Sequence, residues 1–344
     1  QSIDKTDAPN TEGAGIAKSL TDEIGPGRGE DWTPGSSAFI LRRDPFRSIR
    51  RGRQLFQRKF TRAQGQGPGV FEAAGDIETN LAIGAGLADS CAACHGRPKG
   101  SAGHGGDVVT RPDSRDAPHL FGLGLKEMLA DEITADLRAL RDQAVSEARF
   151  TGRRTPKQLK SKGISYGVIT ASGDGSVDTS RVHGVDPDLR VRPFFAHGAT
   201  ISMREFIAGA MKNEMGLEVV DPDLARAAAG GRVVTPSGMV LDGSLDSIEA
   251  PPTDDPSADL DGDGVVNEIP QSVVDHLEFY LLNYFKAGHG QETRGTRSGR
   301  NAFAMIGCAS CHTPNLTIDV DRRVADVETA YDPTRGRFNR LFAT

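Results

Sequence analysis

The chain contains four cysteines, and all of them belong to two copies of one five-residue pattern. The copies are Cys91-Ala92-Ala93-Cys94-His95 and Cys308-Ala309-Ser310-Cys311-His312. Cys-x-x-Cys-His is the attachment pattern of c-type haem. Thiols at this spacing lie on one helical turn, where each can bond a vinyl group of the porphyrin while the adjacent histidine reaches the iron. The sequence therefore predicts two covalent haems, with His95 and His312 as the proximal iron ligands.

Two other kinds of site use paired cysteines. Two Cys-x-x-Cys pairs can hold a structural zinc ion, and a single pair can form a thiol redox centre. Zinc-binding pairs usually lie within a few tens of residues of each other, whereas 213 residues lie between Cys94 and Cys308. Neither alternative explains a histidine directly after both pairs, so the pattern favours haem.

Charge and hydropathy narrow the class of protein, and the haem motifs predict export. The 344 residues carry a net charge of −6, which is not the basic balance typical of nucleic-acid binding. No apolar run approaches the roughly 20 residues that a membrane span requires. Because c-type haem is attached outside the cytoplasm, we expect a periplasmic or secreted protein. The start at Gln1 is typical of a mature N-terminus after removal of a signal peptide.

Hydrophobic periodicity and the two Cys-x-x-Cys-His motifs together predict a mainly α-helical fold with two cytochrome c-like haem domains, a small β-hairpin and long loops. The hairpin is expected over 164–182, around a Gly173-Asp174-Gly175 turn. We expect His276 on the exposed side of its helix. Apolar residues recur at helical spacing in four segments, about 52–60, 125–144, 202–216 and 273–285.

Proline-rich and glycine-rich segments suggest the domain limits. We expect an extended arm over 1–35, a first haem domain over 36–250 and a second haem domain over 251–344. The second would begin at the linker-like run Pro251-Pro252-Thr253-Asp254-Asp255-Pro256. A weak internal repeat agrees with two related domains, because Gly52-Arg53-Gln54-Leu55-Phe56 is echoed by Gly299-Arg300-Asn301-Ala302-Phe303.

One helix start is predicted in detail. Ser202-Met203-Arg204-Glu205 is a capping box, in which Ser202 and Glu205 each satisfy a backbone N–H of the first turn. Gly216 is expected to end this helix in the left-handed conformation.

Several stretches resemble the dihaem oxidoreductases related to bacterial dihaem cytochrome c peroxidase and to the dihaem enzyme that matures methylamine dehydrogenase. The resemblance implies that the second haem accepts electrons and passes them to the first. The first haem would then activate peroxide or a related oxidant. The stretches are Cys91 to Pro98, Arg115 to Pro118 with Leu120 to Gly124, Pro193 to Gly216, and Gly299 to Pro314.

The resemblance also implies a catalytic carboxylate. In the peroxidases an Asn-Pro-x-Glu-Met stretch places a glutamate over the peroxidatic haem, and Asn213-Glu214-Met215-Gly216 is the shorter counterpart here. Glu214 is therefore the candidate distal acid/base, with a solvated helix-end glutamate as the alternative. Phe206 stands where the peroxidases carry a glutamine, which favours a drier pocket and an organic substrate or dioxygen.

The sixth iron ligands are left open. His104 is in a place similar to that of a displaceable histidine of the peroxidases, so it is the candidate sixth ligand of the first haem, with a surface histidine as the alternative. For the second haem the resemblance implies a methionine after the motif, and no methionine follows His312.

An acidic segment predicts a calcium loop. Asp259, Asp261 and Asp263 occupy the first, third and fifth positions of an EF-hand-like loop, and Asn267 the ninth. Pro270 stands at the twelfth position, where an EF-hand has its bidentate glutamate. A plain acidic turn is the alternative.

The function predicted from these features is that of an exported dihaem oxidoreductase, an enzyme of peroxidase-like type. A pure electron-transfer dihaem cytochrome and a redox subunit of a larger periplasmic assembly are the alternatives. We expect a small redox protein or another electron donor as partner, a small oxidant or an organic substrate, and no nucleic acid. An oligomer is compatible with the sequence.

Overall fold

The computed structural model describes residues 20, 24–67, 90–95, 117–195, 198–284, 286–287, 292–324, 327–332 and 337–343. The chain forms two compact units. The first unit contains residues 1–124, 202–287 and 322–344, and the second contains 125–201 and 288–321. The sequence-based domain limits stay a prediction. Among the described helices, none is both long and apolar enough to cross a bilayer.

Groups of helices and groups of strands follow one another along the described chain. The α-helices are α1 Ser37–Arg43, α2 Pro45–Gln57, α3 Cys91–His95, α4 Leu123–Thr151, α5 Met203–Ala210, α6 Pro222–Ala228, α7 Gln271–Leu282 and α8 Arg294–Met305. The strands are β1 Thr155–Ser161, β2 Ile164–Ala171, β3 Val177–Val182, β4 Arg232–Val234, β5 Val240–Asp242, β6 Lys286–Ala287, β7 Val327–Asp332 and β8 Arg337–Ala343. They form three sheets, ordered β1-β2-β3, β4-β5 and β6-β7-β8.

The predicted fold class, mainly α-helical with two cytochrome c-like haem domains, is wrong. The described residues form a mixed α/β structure with three sheets. Strands β4, β5 and β6 have only two or three residues, too short for an alternating pattern to show in the sequence. The missed strand β1 contains a proline and two lysines and buries only alternate side chains against its neighbours, so its signal is weak.

The second unit packs helix α4 on the sheet β1-β2-β3. The predicted hairpin is confirmed, since β2 and β3 pair antiparallel, and β1 adds a third antiparallel strand. One apolar cluster joins the buried face of the helix to the buried face of the sheet. Its fully buried members include Leu137, Ala144, Ala148, Leu159, Ile169 and Ala171.

In the first unit, helices α2 and α7 cross in close contact at a glycine. A Cβ on Gly52 would lie 2.2 Å from the backbone oxygen of His276 and 2.4 Å from Cβ of Tyr280. The Phe56 ring, one turn along, packs against the Tyr280 ring at 5.7 Å between centroids. The absence of a side chain at residue 52 therefore sets how closely the two helices approach.

The prediction that His276 is exposed is wrong. The side chain is 1% exposed and lies between α7 and α2, where its Nδ1 is 2.8 Å from Ser48 Oγ and its Nε2 is 3.3 Å from Arg51. Burial and the nearby charges of Arg51 and Arg47 lower the pKa of His276 to about 3. The whole of α7 from Ser272 onward is buried, so this helix has no solvent-facing side on which a histidine could lie.

A buried ion cluster ties α5, α6 and α7 together. The Arg204 guanidinium is fully buried and pairs with Asp221 at 2.6 Å, Asp275 at 3.1 Å and Glu278 at 3.2 Å. Arg28 also reaches Asp275, at 2.6 Å. This part of the predicted arm is therefore anchored on the first unit, while residues 1–19 and 21–23 of the arm lie outside the described residues.

Candidate haem sites

The first motif forms the short helix α3, Cys91–His95. Nδ1 of His95 lies 2.8 Å from the backbone oxygen of Pro118. A carbonyl oxygen can only accept, so Nδ1 carries the proton and donates it to Pro118. The lone pair then lies on Nε2, which is the atom that a proximal histidine offers to iron. The position of the Cys94 side chain lies outside the described structure, and Cys91 is half-buried.

The protonation of His95 suits metal binding. Burial lowers the pKa of His95, and the hydrogen bond to Pro118 acts in the opposite direction as the smaller cause. The neutral imidazole is the ligating form. The donor set of two thiols and one oriented neutral imidazole therefore fits a covalently attached haem.

Aromatic stacking positions the segment that carries the Pro118 carbonyl. Phe121, three residues further along, stacks on Tyr284 with 5.2 Å between ring centroids. The ring centroid of Tyr284 in turn lies 4.9 Å from that of Tyr280 on helix α7. The orientation of His95 is thus linked to the buried crossing of α2 and α7 through Pro118, Phe121 and Tyr284.

Phe206 lies beside the histidine of the first motif. Its ring centroid is 6.4 Å from that of His95, with 60° between the ring planes, and the side chain is half-buried. Phe206 belongs to α5, where the predicted capping box is confirmed: the Ser202 hydroxyl accepts from the Glu205 N–H at 3.1 Å and Glu205 accepts from the Ser202 N–H at 3.1 Å. The capped start therefore determines the register that brings Phe206 to His95.

The helix carrying Glu214 contains a feature that the sequence did not predict. After Ala210 it continues as a π-helical turn, Met211–Met215, and ends at Gly216 with φ 63°, which confirms the predicted left-handed stop. In a regular α-helix Glu214 would lie about 80° around the axis from Phe206. Because a π-turn takes up about one extra residue, that angle falls to about 20°. Half-buried Glu214 is thereby turned toward the helix side that carries Phe206.

The second motif has different surroundings. Cys308–Ser310 form a single 3₁₀ turn after α8, and both Cys311 and His312 are exposed. The ring of His312 lies 5.8 Å from that of Phe303. Helix α8 has no buried residue, and Met305 and Ile306 at its end are 79% and 76% exposed.

The chain after the second motif is held by polar contacts of the second unit. The backbone N–H groups of Asp319 and Val320 both donate to Glu132 Oε1 at 2.8 Å. Lys162 bridges Glu132 at 2.7 Å and Asp319 at 2.5 Å. The same thiol and imidazole donors as in the first motif are present here, on an open surface.

The remaining candidate residues are partly described. His104 lies outside the described residues, so its role as sixth ligand stays a prediction. Asp259, Asp261 and Asp263 come together, with one carboxylate oxygen of each within 4.8 Å of the others. Asn267 has a left-handed backbone, φ 53°.

Comparison of this chain with protein-family models, with curated proteins and with solved structures found no match. The evidence for its function is therefore the pair of motifs and the geometry around them. Two contributors were missed by sequence reasoning. The Pro118 carbonyl carries no side-chain signal, and the residue types at 211–215 do not predict the π-turn that they form.

Proposed function

We propose that this chain is an exported c-type dihaem oxidoreductase of the kind that its motifs resemble. The observation that carries the proposal is the hydrogen bond from His95 Nδ1 to the Pro118 carbonyl, 2.8 Å long, directly after the paired cysteines. Of the two ring nitrogens of His95, this bond leaves Nε2 as the one that can ligate a metal. Cys91, Cys94 and His95 would hold one haem, and Cys308, Cys311 and His312 the other.

Each haem would supply an iron centre that exchanges single electrons. Around the first motif, Pro118 orients His95, and Phe206 keeps water away from the nearby space. Glu214 is the proposed proton carrier for a bound oxidant or organic substrate. A carboxylate in that place can take a proton from one atom of the substrate and return it to another.

The open surface around the second motif supports its proposed role as the site of electron entry. His312 is exposed and lies beside exposed Phe303. Met305 and Ile306, a few residues earlier in the chain, are also large apolar side chains that are exposed. Exposed apolar patches mark surfaces that bind other proteins. A small redox protein would donate its electron here in the periplasm or outside the cell.

Intact-mass measurement tests the two attachments. Protein produced with the cellular machinery for c-type haem attachment should exceed the polypeptide mass by two haems. The double variant Cys91→Ala, Cys94→Ala should lose one haem, and Cys308→Ala, Cys311→Ala should lose the other. Bound zinc without porphyrin in the unaltered protein would refute the proposal.

Activity of a glutamate variant tests the catalytic role. Glu214→Gln keeps the side-chain size and removes the base, so peroxide turnover with an electron donor should fall about 10²–10⁴-fold with both haem spectra intact. Glu147→Gln, on the exposed face of α4, is the matched control and should keep full turnover. Unchanged turnover in Glu214→Gln would refute the role of Glu214.

The spin state of the irons separates this enzyme from a pure electron-transfer cytochrome. A high-spin electron paramagnetic resonance signal from one haem, in the resting or the half-reduced protein, would show an iron open to substrate. Two low-spin signals in both states, together with no turnover of oxidants, would instead favour electron transfer alone.

A further inference from the structure

Charge is distributed unevenly within the first unit. Residues 42–59 contain eight arginines and lysines and one acidic residue. Between Arg232 and Lys286 the chain has eleven acidic residues and no lysine or arginine. Both segments belong to the first unit, so one compact body combines a strongly basic segment and a strongly acidic one.

The exposed side of helix α2 is basic. Its opposite side packs on α7, where Gly52 meets the backbone of His276. Phe46, Arg50 and Arg53 follow one another at steps of four and three residues, so they lie together on the side that faces solvent. We define the arginine face by five exposed residues at the corner of α1 and α2, namely Arg43, Phe46, Arg47, Arg50 and Arg53.

The positive charge of the arginine face is not compensated by the described residues. Arg42, next to the face, pairs with Asp31, whereas the four arginines of the face form no ion pair with a described residue. Trp32 directly follows Asp31, so its side chain, which is 71% exposed, lies at the same corner. The face therefore combines guanidinium groups with exposed aromatic rings.

The acidic face is the exposed surface of the loop between Thr253 and Ile269. These two residues pair with Val220 and Val219, which fixes the base of the loop on the first unit. Its exposed members are four aspartates and two apolar residues, namely Asp254, Asp255, Asp259, Leu260, Asp263 and Val266. None of the four aspartates forms an ion pair with a described residue, so the two faces do not neutralise each other within one molecule.

The two faces match in chemistry as well as in charge. Arginine pairs with carboxylates through two parallel hydrogen bonds, and it is enriched in protein interfaces, where lysine is depleted. Leu260 and Val266 are 61% and 49% exposed, and they give the acidic face apolar surface that can pack on Phe46 and Trp32. Each face therefore sets charged groups of one sign beside apolar surface, as complementary protein interfaces do.

A second protein surface fits the arginine face better than a large polyanion does. The chain has a net charge of −6, so a nucleic acid or an anionic bilayer would also meet the negative charge of the surrounding protein. Helix α2 cannot insert into a bilayer as an amphipathic helix, because its apolar side is covered by α7. The acidic face of the same chain, by contrast, carries negative charge on an area of similar size.

We propose that the arginine face of one copy of this chain binds the acidic face of a second copy. The contact joins unlike surfaces, so two copies can exchange both contacts about a two-fold axis, or the contact can repeat head to tail. Pairs of guanidinium and carboxylate groups would give the contact its specificity and its dependence on salt. The contact requires neither haem, so it goes beyond the proposed function and does not depend on it.

Sedimentation of the haem-loaded full chain tests the contact. The protein should self-associate at about 0.01 M salt, and the association should weaken at least about tenfold at about 1 M salt, where charges are screened within about 3 Å. A chelator in both buffers keeps metal ions off the aspartates. A monomer at low salt and about 100 μM protein would overturn the proposal. An assembly unaffected by high salt would overturn it as well, because other contacts must then hold the copies together.

Reversal of the arginine face tests one side of the contact. The arginine variant, with Arg47→Glu, Arg50→Glu and Arg53→Glu together, places like charges opposite each other and should weaken self-association by at least about tenfold. Unchanged association would overturn the proposal. If this variant does not fold, Arg50→Gln with Arg53→Gln must still weaken the association, and full association there would have the same consequence.

The control variant changes the net charge by the same amount in the second unit. It combines Arg149→Glu, Arg153→Glu and Arg154→Glu, at three exposed positions, and should associate like the unaltered protein. An equal loss in the control would show that total charge, rather than the arginine face, governs association. Binding of the unaltered monomer to phosphatidylglycerol vesicles, lost in the arginine variant, would assign the face to a membrane and overturn the proposal.

Reversal of the acidic face tests the pairing of the two surfaces. The aspartate variant, with Asp254→Arg, Asp255→Arg and Asp263→Arg together, should also lose self-association. Mixed with the arginine variant, it presents basic groups wherever its partner presents acidic ones, so the two should form a one-to-one complex. Two folded variants that remain separate in the mixture would contradict the assigned pairing.

Discussion

The two Cys-x-x-Cys-His motifs have the same chemistry and opposite surroundings. In the first motif, His95 donates a hydrogen bond to the Pro118 carbonyl. In the first copy of the internal repeat, Gly52 packs against the buried helix α7. In the second, Cys311 and His312 are exposed, and around Gly299, the repeat's second glycine, nothing lies within 4 Å of where a Cβ would be.

This difference shows which properties belong to the motif and which to its environment. The spacing of thiols and imidazole is set by the motif alone, and it is the attachment pattern of c-type haem. The orientation of the imidazole, its protonation and its access to water depend on neighbours that are distant in the sequence. Under the proposed function, the first motif would serve controlled proton chemistry and the second would exchange electrons at a surface.

The largest expected effect comes from the buried cation Arg204 on helix α5, the helix that also carries Phe206 beside His95. Arg204→Met would leave Asp221, Asp275 and Glu278 without their common partner, which should reduce the free energy of unfolding by about 3–5 kcal/mol. Arg300→Met is the control near the second motif. Its ion pair with Glu292, at 2.9 Å, is exposed, so the change should be at most about 1 kcal/mol. Equal losses in denaturant unfolding would contradict the comparison.

The phenylalanines of the internal repeat form the next pair. Phe56 is 2% exposed and Phe303 is 41% exposed. Phe56→Ala should lower the free energy of unfolding by about 3–5 kcal/mol because it opens a cavity between α2 and α7. Phe303→Ala should change it by less than about 1 kcal/mol. A comparable loss in Phe303→Ala would mean that the second repeat is packed in solution.

The two glycines of the repeat should respond in opposite directions. Gly52→Ala would place a methyl group against backbone and side-chain atoms of α7, at a cost toward the upper end of about 1–3 kcal/mol. Gly299→Ala has open space around it and should stabilise helix α8 by up to about 1 kcal/mol. If both variants shift the midpoint of thermal unfolding in the same direction, the difference in packing between the two glycines is refuted.

The smallest effect is a pH dependence confined to the first unit. His276 has a pKa of about 3 in the folded protein and about 6.5 when unfolded, so the unfolded state binds its proton first as pH falls. Stability contributed by the neutral histidine is present above about pH 6.5 and declines below it, by about 2 kcal/mol between pH 7 and pH 5. His276→Gln should remove this part of the slope, as measured by urea unfolding at both values. An unchanged slope would show that His276 is not buried in solution.

Local chemistry made much of this protein predictable from its sequence. The capping box of Ser202 and Glu205, the stop at Gly216 and the hairpin each depend on residues close together in the chain. Their geometry is set by backbone hydrogen bonds within a turn or two. The acidic loop of Asp259, Asp261 and Asp263 belongs to the same class, because its conformation depends on its own turn residues.

Only the tertiary structure decided what surrounds these local features. It placed His276 in the core, brought the Pro118 carbonyl to His95 and widened the helical turn that contains Glu214. Each of these depends on contacts between residues far apart in sequence, and burial has no signature in the residue type of a histidine or a glutamate. For the same reason the two motifs look alike in the sequence, although long-range packing half-buries His95 of the first and leaves His312 of the second exposed.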